Sequence, residues 1–210
     1  MNFAHSRGNI ARVNFPQDQP DRLPPDLLLR AYAEGIFPMA MENGEIGWFS
    51  PDPRGIIPLD DAFHIPHGLK RTLKKCPFEV RFDTAFREVM LGCADRSTTW
   101  INELILDSYT RLKDLGFGHS VETWQDGQLV GGLYGIAIGG VFFGESMFSR
   151  VTDASKVALV ALVERLRKSG FVLLDTQWTT NHLETFGAHS IRRREYLARL
   201  HQGIGLKVKF

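Results

Sequence analysis

Cysteine is scarce in this chain: Cys76 and Cys93 are the only two in 210 residues, and they form no Cys-x-x-Cys pair. That excludes a disulfide framework and a thiolate zinc site, and it predicts a reducing compartment. Long apolar runs are missing too. The stretch poorest in charge, residues 129–144, is broken by glycines and too short to cross a bilayer. The start of the chain carries His5, Arg7 and Arg12 with no apolar segment, so no signal peptide is expected. Together these absences predict a cytoplasmic protein with no membrane partner. A large excess of either charge is also lacking, since the formal net charge is +1. Coating nucleic acid by bulk charge is thereby excluded, while a local basic patch that docks one RNA is not.

Several motifs are absent or incomplete. No Walker or EF-hand loop occurs. Gly144-Glu145-Ser146 resembles half of a hydrolase nucleophile elbow, but Phe148 stands where the closing glycine belongs. The one close histidine pair, His64 and His67, has only the more distant Asp60 and Asp61 as further ligands, so no metal is expected.

What is present is an ordinary soluble composition, 43% hydrophobic and 23% charged, enough for a main domain with a smaller partner. Residues 1–22 read as a flexible arm. Leu23-Pro24-Pro25-Asp26 opens a helix to about Glu34, and Gly35 stops it. Ile46–Phe49 and Gly55–Leu59, joined by Ser50-Pro51-Asp52-Pro53, predict a β-hairpin. Residues 1–62 are therefore assigned to a small N-terminal α/β domain and residues 63–210 to the main one. In the latter, Phe78–Phe82 alternates as a strand, and helical spacing follows over Thr84–Ala94 and Ile101–Leu115. Strands Ser120–Trp124, Leu129–Ile138 and Val141–Ser146 are separated by the turns Asp126-Gly127 and Gly139-Gly140. A helix over Ala154–Ser169, capped by Asp153 or Thr152, ends at Gly170. A buried strand at Phe171–Thr176, a short helix near His182, a basic helix at Arg192–Leu200 and a strand at Leu206–Phe210 finish the chain. This order is that of a GNAT-type acyltransferase, an α/β (α+β) fold around a mixed, mainly antiparallel sheet. The analogy concerns topology alone.

Two segments carry chemistry. Residues 144–150 place Glu145, Ser146, Ser149 and Arg150 at a strand end, ahead of a helix N-terminus bearing Lys156, where backbone N–H groups attract anions. A capped helix with a solvated lysine explains the same residues. In Leu174-Asp175-Thr176-Gln177, alternation sets Asp175 and Gln177 on one side, where they can orient an attacking amine or tie the strand to its neighbours. Lys70, Arg71, Lys74 and Lys75 fall on one helical face, and Arg192–Arg194 form a second cluster; both suit phosphate contacts as well as solvent. An acyl-CoA-dependent N-acyltransferase is the physical rival. Its pyrophosphate loop needs glycines, and residues 147–154 contain none.

Taken in order, Ala33–Pro38, Trp48–Arg54, Gly131–Gly135, Gly144–Arg150, Ala154–Lys156, Leu174–Gln177, Gly187-Ala188 and Arg193–Tyr196 resemble the leucyl/phenylalanyl-tRNA–protein transferase family. The resemblance spans roughly residues 23–200. It implies transfer of Leu or Phe, with Met as a further donor, from aminoacyl-tRNA to the α-amine of proteins beginning with Arg or Lys. The product is marked for degradation by the N-degron pathway. It implies no cofactor, because the ester is already activated, and a monomer. By the same resemblance Asp175, Gln177 and Glu145 are catalytic, with Asp175 polarising Gln177. Phe142, Gly144, Met147, Leu159, Leu162, Leu166 and Leu174 line the aminoacyl pocket, and Phe49 and Trp100 stack on the terminal adenosine. Lys70, Arg71, Lys74, Lys75, Arg150 and Lys156 are the expected tRNA phosphate contacts. This chain departs from the family in three places: Phe49 stands where a second tryptophan is common, Leu162 and Leu166 where phenylalanine can stand, and Arg192 where a proline is usual.

Overall fold

A computed structural model describes residues 11–12, 22–75 and 77–210. The arm assigned to residues 1–22 lies outside these, apart from Arg22 and a two-residue strand. In chain order the elements are β1 (Ala11–Arg12), α1 (Pro25–Ala33), β2 (Phe37–Ala40), β3 (Ile46–Ser50) and β4 (Arg54–Ile57). Then come α2 (His67–Lys75), β5 (Glu79–Phe82), α3 (Phe86–Ala94), α4 (Glu103–Asp114), β6 (Gly118–Gln125) and β7 (Gln128–Ile138). The chain continues through β8 (Val141–Ser149), α5 (Ala154–Ser169), β9 (Leu173–Gln177), α6 (Asn181–Glu184), β10 (His189–Ile191) and α7 (Arg193–Ile204).

Local chemistry explains many of these boundaries. Proline at the first position of α1 costs no hydrogen bond, and Gly35 at φ 72° closes the helix, its own amide donating to the Tyr32 carbonyl and that of Ile36 to the Ala31 carbonyl. Asp126 and Gly127 both take positive φ, as a tight turn between β6 and β7 requires. At α5 the expected cap is replaced. Asp153 itself adopts φ 68°, and the Ser149 hydroxyl accepts from the Ser155 N–H (3.1 Å) instead. The Asp153 carboxylate is used elsewhere, accepting from Thr72 Oγ1 and Lys156 Nζ, both at 2.8 Å.

Two sheets form. The small one runs β1-β3-β2, and the large one runs β10-β4-β9-β8-β7-β6-β5. Every neighbouring pair is antiparallel except β8 and β9, which run parallel and are joined by the α5 crossover. The mixed, mainly antiparallel sheet expected from the sequence is therefore present. One core packs α5 against one face of the large sheet through Val157, Leu159, Leu162 and Leu166. The other face is covered by α1, α3, α4 and α7, with Tyr32, Met90, Tyr109 and Tyr196 among its buried residues. No helix among the described residues is long and apolar enough to cross a membrane.

Two expectations need correction. Ile46–Phe49 and Gly55–Leu59 do not pair as a hairpin: β3 joins the small sheet, while β4 inserts between β10 and β9 in the large one. All four residues of β4 are buried, as befits a strand covered on both faces. The change of sheet thus falls between Ser50 and Arg54, ahead of residue 62. Leu206–Phe210 is not a strand either. Leu206, Lys207 and Lys209 are exposed while Val208 and Phe210 are partly buried; the segment joins no sheet, and Phe210 instead stacks at 4.2 Å on His119 and 5.4 Å on Phe142.

Candidate active site

The site lies where the two parallel strands part. β8 and β9 pair only over Val141–Phe143 with Leu173–Asp175, and beyond that register the sheet opens. Each strand is irregular at the parting. On β8, Tyr134 faces Ser146 while Gly135 faces Gly144, so Glu145 is the extra residue of a bulge. On β9, Ile56 faces Asp175 and Gly55 faces Gln177, which makes Thr176 the extra residue. Gln177 is held at φ 58° within a tight turn, closed by the Trp178 N–H donating to the Thr176 carbonyl at 2.6 Å. A Cβ on Gly55 would stand 2.5 Å from the Trp178 carbonyl carbon, so only glycine admits this close crossing.

Through the gap runs a cavity of about 550 Å³. On the α5 side its wall is apolar, formed by Ile57, Leu133, Leu159, Leu162 and Leu174 with Met147. On the opposite side stand Phe37, Trp100, Tyr134, Trp178 and Arg96. Glu145 and Gln177 border the passage between these chambers, with Gln177 Nε2 donating to Glu145 Oε1 at 3.4 Å.

Glu145 is half-buried and also accepts from the Tyr32 hydroxyl at 2.7 Å, and that hydroxyl is paired in turn with the hydroxyl of Tyr109. Burial pushes the Glu145 carboxyl from its ordinary 4.5 up to about 8. The hydrogen bonds of the tyrosines and the charge of Arg54 pull against this, and the charge of Asp175 adds to it. The Tyr134 hydroxyl is buried without a hydrogen-bond partner among the described residues.

Asp175 is wholly buried and off the cavity wall. Arg54 grips it bidentately (Nε–Oδ1 2.9 Å, Nη2–Oδ2 2.6 Å), Tyr196 donates its hydroxyl at 2.8 Å, and the Gln177 backbone N–H donates at 2.9 Å. The guanidinium lies over the rings of Tyr196 (4.5 Å) and Phe37 (5.0 Å), and its Nη1 donates to the Gly35 carbonyl at 2.9 Å. Every strong contact of Asp175 is thus internal. Its bond to Gln177 is to the main chain, which fixes the turn and leaves the side-chain amide unpolarised, contrary to the role expected from the sequence.

A family profile described as leucyl/phenylalanyl-tRNA protein transferase matches residues 56–201, and the profile of its N-terminal domain matches residues 21–52. The chain belongs to the leucyl/phenylalanyl-tRNA–protein transferase family. A transferase of that name from Herpetosiphon aurantiacus is 59% identical over 175 residues, covering 83% of this chain and 91% of its own length. One from Paramagnetospirillum magneticum is 60% identical over 181 residues, covering 83% and 86%. Among solved structures, a GCN5-related N-acetyltransferase-like protein from Streptococcus suis aligns over 80% of this chain and 64% of its own, with 14% identity and a TM-score of 0.37. That likeness is too remote to bear on function.

In this leucyl/phenylalanyl-tRNA–protein transferase family member, Gly144, Met147, Leu159, Leu162 and Leu174 do line the cavity, together with Trp100 and Arg150. Phe142 and Leu166 do not. Both are fully buried behind the wall, Phe142 facing Phe210 and Leu166 facing the sheet from the far turn of α5. Phe49 is also off the wall: it is 5% exposed and packs inside the small sheet, 6.2 Å from Phe37, so no face is free for a nucleobase. Lys70, Arg71, Lys74 and Lys75 are exposed along α2, whose Leu69 is buried. α2 is tied to the start of α5 by Thr72, whose hydroxyl donates to Asp153. Lys156 is tied to Asp153 and, together with burial, lowers the pKa of His182 on the rim. Sequence reasoning missed Arg54, Tyr32, Tyr109, Tyr196 and Arg96. For Arg54 a signal existed: a cation opening the apolar strand Arg54–Ile57 requires a buried carboxylate, and Asp175 lies in an equally apolar strand.

Proposed function

We propose that this transferase moves leucine or phenylalanine, and methionine as a third donor, from aminoacyl-tRNA to the α-amine of proteins that begin with Arg or Lys. The product is then marked for degradation. The observation that carries this reading is the cavity that crosses the sheet, apolar on one side and aromatic on the other, with Glu145 and Gln177 between. The donor side chain enters the apolar chamber, where burial contributes about 1.5–3 kcal/mol. The terminal adenine stacks on Trp100 in the other chamber, and Lys70, Arg71, Lys74, Lys75, Arg150 and Lys156 meet phosphates outside. Both chambers come from a single copy of the chain, which favours a monomer as the working form.

Chemically, the α-amine must attack the ester carbonyl as a free base. A carboxyl raised to about 8 is matched to an α-ammonium of pKa about 8. The ionised form of Glu145 takes the amine's proton, becoming neutral as it does so, while the Gln177 amide orients the nucleophile. The new C–N bond forms, the C–O bond to the ribose breaks, and the ribose oxygen leaves with a proton. Asp175, Arg54 and Tyr196 act by position, fixing the Gln177 turn.

The test supplies radiolabelled Leu-tRNA or Phe-tRNA with a peptide that starts in Arg, beside the same peptide starting in Ala and an acetyl-CoA control. Label is expected on the Arg peptide alone. Acetylation without aminoacyl transfer would sink the proposal.

A further inference from the structure

Arg96 follows α3 and lies on the cavity wall with Trp100. Its guanidinium is fixed by three neutral acceptors. Nε donates to the Cys93 carbonyl at 2.6 Å, and Nη2 donates to Ser146 Oγ at 3.1 Å and to the Met147 carbonyl at 3.2 Å. The first satisfies a carbonyl at the end of α3, and the other two tie the side chain to β8 just past the Glu145 bulge. No carboxylate pairs with Arg96 among the described residues, although Asp95 lines the same wall, and Nη1 has no partner there. Arg96 is exposed at the wall, and a cation tethered there with donors unused can receive an anion. Arg150, also on the wall, is less firmly held. It lies over the Phe148 ring at 5.5 Å and reaches the Leu129 carbonyl only at 3.5 Å.

We infer that Arg96 seats a phosphodiester of the donor, the one on the 5′ side of its terminal adenosine. The inference rests on the proposed function. With the adenine on Trp100 and the ester carbonyl between Glu145 and Gln177, the next group along the polynucleotide is this phosphate, and Arg96 shares the wall with Trp100. Because Ser146 and Met147 adjoin Glu145, the same contact sets the distance from the phosphate to the reacting ester. Capping α3 and tying it to β8 is the competing, purely architectural role.

Three leucine donors separate these roles: Leu-tRNA, 2′(3′)-O-leucyl-adenosine 5′-monophosphate, and 2′(3′)-O-leucyl-adenosine, which lacks the phosphate. Arg96→Ala is expected to raise KM about tenfold for the first two, the size of a charge-assisted contact, and to leave KM for the third unchanged. Arg96→Lys, a point charge without the fork, should recover part of the loss. An equal rise in KM for all three donors, or no rise for any, overturns the seat. A wild-type protein that transfers from none of them sinks the proposed function as well, so the two failures are told apart by the wild-type rates.

Discussion

On the α5 side of the cavity Leu133, Leu159, Leu162 and Leu174 are each at most 3% exposed, and none of these four side chains has a hydrogen-bonding group. On the opposite side Tyr109, Tyr32 and Glu145 are linked hydroxyl to hydroxyl to carboxylate, with the two tyrosines behind the wall, while Tyr134 holds an unused hydroxyl and Arg96 an unpaired charge. The two walls discriminate differently. An apolar chamber separates ligands that differ by a methylene by only about 1–3 kcal/mol, whereas a wall of hydrogen-bonding groups rejects a ligand that leaves them unmatched far more strongly. Tolerance among large apolar groups on one wall and strictness toward hydrogen-bonding pattern on the other follow from that contrast.

The largest expected effect falls on the polar side. Glu145→Gln removes the proton acceptor and should lower turnover by about 10²–10⁴-fold at neutral pH, with the tRNA dissociation constant little changed. The same variant reports on charge burial. A carboxyl raised from 4.5 to about 8 on folding stabilises the native state fully below pH 4.5 and loses that contribution as pH rises through about 8. The melting temperature of Glu145→Gln relative to wild type should therefore climb between pH 5 and 9. A flat difference would show that Glu145 is not a buried, proton-holding group.

Gln177→Gly comes next. Glycine adopts φ 58° without strain, so the melting temperature should hold or rise while turnover falls about 10²-fold. A variant as active as wild type would remove the amide from the mechanism. On the apolar side, Leu162→Ala should enlarge the chamber and shift the ratio of kcat/KM for Phe over Leu upward by about tenfold, read with the two charged tRNAs in competition. An unchanged ratio would mean that the chamber does not read the donor side chain. Smallest is the outer surface: Lys70→Glu with Lys74→Glu should weaken tRNA binding severalfold and flatten its dependence on salt, with turnover at saturation unaltered. An unchanged slope returns α2 to an ordinary solvated helix.

How much of this was legible depended on the range of the interaction. Gly35, Asp126-Gly127 and Gly170 were readable because a positive φ is settled by the residue itself. The apolar spacing of α4 was readable for a similar reason, as the helix meets its own periodicity. The partner of β4 was not, because Gly55 and Ile56 pair with Gln177 and Asp175 across the whole length of the main domain. The strand expected at residues 206–210 does not form: Val208 and Phe210 are partly buried but Leu206 is exposed, and a period of two says nothing about a neighbour. At the site, the sequence pairs Asp175 with Gln177 but does not separate their places in the structure. A strict alternation makes them equivalent, and the extra residue at Thr176 breaks that equivalence, leaving one inside the protein and the other on the cavity wall.

Arg54 falls between the two segments, residues 21–52 and 56–201, that the family profiles treat as separate. Yet its guanidinium bonds both the Gly35 carbonyl and Asp175. A chain divided there and expressed as two pieces would place a buried guanidinium at a free end, beside a new terminal ammonium, with half its ligands on another molecule. The halves of this enzyme are thus poor candidates for exchange between relatives or for reconstitution in trans. What looks like a linker serves as the hinge pin of a single unit, and recombination should be tolerated better almost anywhere on the surface than at that joint.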